Sequence, residues 1–202
     1  DVSNSKIDIL CGGSQKALSA PPGLTMVWVS DRAFEAMQNR KTPIKAFYAN
    51  LLFIKDYYEN QWFPYTMPAS DIMGLRVAID NYLEDADFQN RHKQLAKATR
   101  NAVEKAGLKL YLESGDSNNV TVLEIPEGIT EDEILSGLRD EFGILISGCF
   151  DVLKGKVVRI GHMGENANKE DLAQTLEALQ KVLEARGIKL ACNMRDEFLL
   201  AC

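Results

Sequence analysis

Histidine is scarce in this chain: only His92 and His162 occur, and the four cysteines, Cys11, Cys149, Cys192 and Cys202, form no C-x-x-C pair. Without Cys/His ligand spacing a zinc centre has nothing to build on, so no metal is expected. Long hydrophobic runs are missing as well. None approaches the roughly 20 residues that cross a bilayer, and no basic region followed by an apolar signal core stands near Asp1. A reduced, cytoplasmic chain with no membrane partner is the expectation. Positive charge is also in deficit, with 23 Lys and Arg against 29 Asp and Glu and a formal net charge of −6. That balance, with no basic stripe, argues against nucleic acid and for small metabolites. What remains is a globular composition of 202 residues, 46% hydrophobic and 26% charged, enough for one or two modest cores.

Short apolar runs at Ile7 to Cys11 and Leu24 to Val29, each bounded by turn residues, read as buried strands. Ser30 caps a helix from Asp31 to about Gln38 that stops before Pro43. Ile44 to Pro68 is aromatic and irregular. From Ser70 to Gly107 the apolar spacing is helical and reads as one long helix, or as two with a break near Glu84 to Asp87. Strand periodicity follows at Leu108 to Leu112 and Val120 to Ile125. Thr130 and Glu133 then form a capping box for a helix that Gly143 ends. Further strands are expected at Ile144 to Ile146 and Val157 to Ile160. Asn168 caps a last helix striped by Leu172, Leu176, Leu179 and Leu183. Two pairs of strands each followed by a helix make a small α+β domain, and the boundary before it is placed near Met67 to Ser70.

Candidate chemistry centres on Gly12-Gly13-Ser14-Gln15-Lys16-Ala17-Leu18-Ser19-Ala20-Pro21-Pro22-Gly23, which holds one lysine in a glycine- and proline-bounded turn between two strands. Most lysines only solvate a surface. A lysine partly withdrawn from water, however, presents an amine able to attack a carbonyl. On strand Val157 to Ile160, Arg159 sits between apolar neighbours, where a guanidinium is costly without an anion and its planar fork suits a carboxylate. A structural pairing with one of the many acids is the competing reading. His162, close by, reads as a packed, hydrogen-bonding residue.

The lysine string, together with Tyr65-Thr66-Met67-Pro68 and Gly155-Lys156-Val157-Val158-Arg159-Ile160-Gly161-His162-Met163-Gly164, resembles the class V pyridoxal-phosphate aminotransferases of the alanine–glyoxylate and serine–pyruvate group. The resemblance implies an α/β fold: the C-terminal part of a fold-type I pyridoxal-phosphate transferase. Residues 1–68 would be the end of the large cofactor domain, and residues 69–202 the connecting helix and small domain. It implies pyridoxal 5'-phosphate as cofactor, with Lys16 as its covalent anchor and proton carrier. Gln15 and Ser14 would be phosphate donors, Thr66 a contact to the phosphate of a neighbouring subunit's cofactor, and Arg159 the grip on the substrate carboxylate. Small amino acids and 2-oxo acids are the implied substrates, and a homodimer the implied assembly of the full-length parent. The chain departs from the animal enzymes in carrying Phe63 where a tyrosine is frequent. The acid that pairs with the pyridine nitrogen lies well upstream of the lysine in the family, and neither Asp1 nor Asp8 matches it. The expectation is therefore a C-terminal fragment with little activity alone.

Two other readings follow from the residues. A cysteine desulfurase would need a mobile nucleophilic thiol, for which Cys149 in Ser147-Gly148-Cys149 is the candidate. A non-catalytic assembly module would use the aromatic segment from Phe47 to Tyr65 to dock on a partner.

Overall fold

The computed structural model describes residue 2 and residues 4–202. Its contacts divide the chain into two units, Asp1–Asn81 and Tyr82–Cys202, with the division falling inside the second helix. Among the described residues no helix is long and apolar enough to cross a membrane.

In the first unit, β1 (Ile9–Gly13) and β2 (Thr25–Val29) pair antiparallel from Ile9↔Val29 to Gly13↔Thr25. Ser30 caps α1 (Asp31–Gln38) by accepting from Ala33 N–H, as its position ahead of the apolar stripe implies. The aromatic segment stays irregular apart from one 3₁₀ turn, Leu51–Phe53. Its rings pack on one another, Phe47 on Phe53 at 5.0 Å and Phe63 on Tyr65 at 5.6 Å. The Tyr65 hydroxyl lies within 3.2 Å of the Phe47 carbonyl and 3.0 Å of the Tyr48 carbonyl, so it donates within the segment. α2 (Ala69–Glu84) completes the unit. Its apolar interior is slight: Ala20 and Ala33 are its only buried hydrophobic residues among those described, while Ile9, Leu10, Trp28, Phe47 and Tyr48 are exposed.

The second unit is built differently. Asp85, Ala86 and Asp87 separate α2 from α3 (Phe88–Lys105), so of the two alternatives, one long helix or two, the second holds. β3 (Val120–Glu124) and β4 (Val157–Gly161) pair antiparallel, with Val122 opposite Arg159. α4 (Glu131–Phe142) carries the full Thr130/Glu133 capping box and ends at Gly143, whose φ of 67° a side chain would resist. Asn168 caps α5 (Lys169–Ala185), whose Leu172, Leu176, Leu179 and Leu183 enter the core.

Two expectations fail here. The strand over Leu108 to Leu112 shrinks to a single bridge, Leu110↔Leu123, and the one over Ile144 to Ile146 to a bridge at Ser147↔Arg159. Each of these segments pairs along one side only, too briefly to make a ladder, although its apolar residues still pack against the core. One element was missed altogether: α6 (Met194–Ala201), which packs on α3 and α5 and buries Met194 and Phe198 completely.

Candidate active site

The lysine loop is the connection between β1 and β2, and Ser14 organises it. Ser14 is fully buried. Its hydroxyl donates to the Pro21 carbonyl at 2.6 Å and accepts from Leu24 N–H at 3.3 Å. Its backbone N–H donates to the Leu24 carbonyl, and its own carbonyl accepts from Ala20 N–H at 3.0 Å. Four bonds from one residue thus close the loop on itself. Lys16 N–H donates to Gly13 O at 3.2 Å and Ser19 N–H to Lys16 O at 2.9 Å, a tight turn that forces Ser19 to a φ of 57°. α2 backs the loop at close range, since a Cβ added to Gly74 would stand 3.2 Å from the Pro21 ring.

On this frame the Lys16 and Gln15 side chains are both exposed. The withdrawal of Lys16 from water, expected from its turn, is not what the structure shows: the backbone is fixed while the amine stands free, and no carboxylate among the described residues pairs with it. Gln15 folds back over Gly13, whose added Cβ would lie 3.0 Å from Gln15 Oε1. Ser14 directs its proton to Pro21 rather than outward, so in this arrangement it braces the loop. Thr66 is exposed just ahead of α2. Asp8 accepts from the Ser30 hydroxyl and the Arg32 guanidinium, which holds its carboxyl below the usual range and keeps it engaged on the surface.

Arg159 occupies the second unit. Its neighbours Val157, Val158 and Ile160 are buried, whereas its own side chain is half-buried. Nε donates to the Gly148 carbonyl at 2.7 Å, and the ring of Phe150 covers the guanidinium with 5.6 Å from Cζ to the ring centre. No ion pair among the described residues reaches it. The edge bearing Nη1 and Nη2 therefore remains for an outside anion. Its two donors match the two oxygens of a carboxylate.

Both histidines hold the segment that follows. His162 is fully buried, with Nδ1 3.1 Å from the Asn118 carbonyl and Nε2 2.8 Å from Thr121 Oγ1. A carbonyl only accepts, so Nδ1 carries the proton and Nε2 accepts from the Thr121 hydroxyl. Burial pushes its pKa down to about 4 against those backbone bonds, which makes it a neutral structural residue, as the sequence reading had it. His92 donates from Nδ1 to Phe88 O and accepts Gly164 N–H on Nε2 at 2.9 Å, tying α3 to the turn after His162.

Cys149 lies on a loop that Glu131 and Arg159 tie down. Its backbone N–H donates to Glu131 Oε1 at 3.3 Å, Gly155 N–H donates to Glu131 Oε2 at 2.8 Å, and Ser147 bridges to Arg159. A desulfurase thiol must travel, and these bonds give that reading no support. Glu131 and Gly148, which shape the Arg159 site, went unnoticed in the sequence; an acid in the first turn of a helix is ordinary and gave no signal.

The Aminotransferase class-V family profile matches residues 1–171. The chain belongs to this family of pyridoxal-phosphate-dependent aminotransferases. It is 38% identical over 205 residues to the pyridoxamine–pyruvate transaminase of Mesorhizobium japonicum, covering 97% of this chain and 51% of that protein. To the serine–glyoxylate aminotransferase of Arabidopsis thaliana it is 35% identical over 185 residues, covering 90% and 46%. The crystal structure of the ureidoglycine–glyoxylate aminotransferase of Bacillus subtilis superposes with a TM-score of 0.90 at 31% identity, covering 100% of this chain and 53% of that one. The fold is thus the C-terminal part of a fold-type I transferase, as the motifs implied. The chain spans about half the length of the curated relatives it matches.

Proposed function

We propose that the parent of this chain transfers an amino group from a small amino acid, alanine or serine, to a 2-oxo acid, glyoxylate or pyruvate, and that Lys16 and Arg159 are its principal residues. The observation that carries this reading is Lys16, an exposed amine without an ion pair on a loop whose backbone is closed by a buried serine. The donor set fits pyridoxal phosphate at two ends: a primary amine for its aldehyde and the Gln15 amide for its phosphate. When bound, the cofactor supplies the electron sink that acidifies the α-hydrogen of an amino acid.

The chain's own residues do the rest. Lys16 Nζ would hold the cofactor covalently and, once released, would carry the proton to and from the substrate α-carbon. Gln15 donates to phosphate oxygens. Arg159 receives the carboxylate common to amino-acid and 2-oxo-acid substrates, so one site serves both half-reactions. Ser14 acts beneath them by fixing the turn that presents Lys16. Thr66 serves a neighbouring subunit's cofactor in a cytoplasmic homodimer. Residues 1–68 are taken as the end of the cofactor domain and 69–202 as the connecting helix and small domain. Alone, the 202-residue chain turns over little, because no residue here matches the acid that protonates the pyridine ring.

The test mixes the chain with one equivalent of pyridoxal phosphate, reduces with borohydride and maps the adduct by peptide mass. Labelling is expected on the Lys16 peptide and is lost in Lys16→Ala. An adduct spread over other lysines with Lys16 unmodified overturns the assignment. Robust transamination by the chain alone overturns the fragment reading.

A further inference from the structure

One peptide unit in the second unit is held from both of its polar ends by opposite charges. The Gly148 carbonyl accepts from Arg159 Nε at 2.7 Å, and the N–H of the same peptide, on Cys149, donates to Glu131 Oε1 at 3.3 Å. A trans peptide points these groups in opposite directions, so the carboxylate, the peptide dipole and the guanidinium lie in series and polarise one another. The other carboxylate oxygen, Oε2, is pinned by Gly155 N–H at 2.8 Å, on the far side of the loop and at a φ of 72°. Both oxygens are therefore engaged, and Glu131 closes the segment from Gly148 to Gly155 like a clasp. A side chain at position 148 would push this carboxylate aside, since an added Cβ would fall 1.5 Å from Glu131 Oε1 and 2.6 Å from its Cδ.

Resting on the carboxylate-binding role given to Arg159, we infer that Glu131 is a positioning residue for that arginine. It acts through the Gly148–Cys149 peptide, so that the Nη1/Nη2 edge is presented in one orientation before substrate arrives. Two constraints set this orientation: the Nε bond to Gly148 O, and the Phe150 ring over the guanidinium face. Without the Glu131 clasp the Gly148 carbonyl is free to turn, and Arg159 recovers rotamers that binding must then freeze. Glutamine cannot replace it. An amide has one acceptor oxygen where two backbone N–H groups need one each, and its NH₂ would face a donor.

The test uses the nitrogen-15-labelled 202-residue chain and reads the Arg159 Nε–H signal, assigned by its loss in Arg159→Lys, for hydrogen exchange and for its response to added pyruvate. In Glu131→Gln and in Gly148→Ala, which displaces the carboxylate by a different route, exchange should quicken and pyruvate binding weaken, each by about threefold to tenfold. Combining the two substitutions should add little, since both break the same clasp. Glu133→Gln is the control. It loosens the capping box in the same helical turn without touching the loop, and should leave both readouts unchanged. Wild-type exchange in Glu131→Gln and Gly148→Ala, or an equal change in Glu133→Gln, overturns the inference. If pyruvate gives no saturable response in the wild type while the exchange changes persist, the clasp stands and the carboxylate reading of Arg159 fails.

Discussion

Acid should loosen the second unit, and one imidazole supplies a cause. His162 is buried, donates to Asn118 O and accepts from Thr121, so a second ring proton would put a positive charge in a place water does not reach. Desolvation accordingly lowers its pKa from 6.5 to about 4, with the positive charge of Arg100 a lesser contribution in the same direction. The difference corresponds to on the order of 3 kcal/mol. Because the folded value lies below the unfolded one, the unfolded chain binds more protons between them. The stabilisation is complete above about pH 6.5 and is lost as the pH falls toward 4. Glu133, Asp140 and Glu177 are held below their ordinary values by Thr130, Arg139 and Lys181, so their contributions fade only at lower pH. Urea unfolding followed by far-UV circular dichroism, repeated from pH 8 to pH 4, should show stability falling by up to about 1.4 kcal/mol per pH unit within the histidine window. His162→Gln keeps an N–H for Asn118 and an oxygen for Thr121. It should be less stable at pH 7, yet nearly flat across that window. Equal slopes in the two proteins, or a folded-state His162 resonance titrating near 6.5, would refute the reasoning.

Three further outcomes follow from the packing and the caps. Phe198→Ala empties a fully buried site on α6 and should cost about 3–5 kcal/mol, read as a shifted urea midpoint with unchanged slope. Thr130→Ala removes the cap of α4 and should cost about 1 kcal/mol in the same assay, with a matching loss of protection at the Glu133 amide. Ser14→Ala leaves the Leu24 N–H and the Pro21 carbonyl without their side-chain partner, a local cost of about 1–3 kcal/mol. Amide exchange at Leu24 and Ala20 should quicken, and borohydride-fixed labelling of Lys16 should become less selective.

Elements set by local chemistry were legible in advance. Ser30, Thr130 with Glu133, and Asn168 each cap the helix they precede, because a short side-chain oxygen before an amphipathic run has one obvious donor to satisfy. The mixed apolar spacing from Ser70 to Gly107 allowed one helix or two, and only the fold decided for a break at Asp85 to Asp87. Strand length was not legible either. Residues 108–112 alternate and residues 144–146 are continuously apolar, both strand-like patterns, but whether a partner runs alongside is a tertiary matter. α6 escaped because eight residues give too few turns for a periodic signal, although Asn193 accepting from Asp196 N–H is the capping pattern that marks it. At the site, Lys16, Gln15 and Arg159 could be named from family motifs. The inward role of Ser14 and the reach of Glu131 across to Cys149 and Gly155 depend on folding that no spacing encodes.

The two units differ sharply in what they bury, and the proposed site residues are divided along the same line. Lys16 belongs to the part whose enclosed apolar residues, among those described, are a pair of alanines, Arg159 to the part packed around Phe198, Leu123 and Ile134. Heating should therefore melt the amine-bearing part first and leave the arginine-bearing part intact. A molecule fastened to Lys16 would raise the first melting step and leave the second where it was. Calorimetry can thus report which half a ligand has chosen without any measurement of turnover.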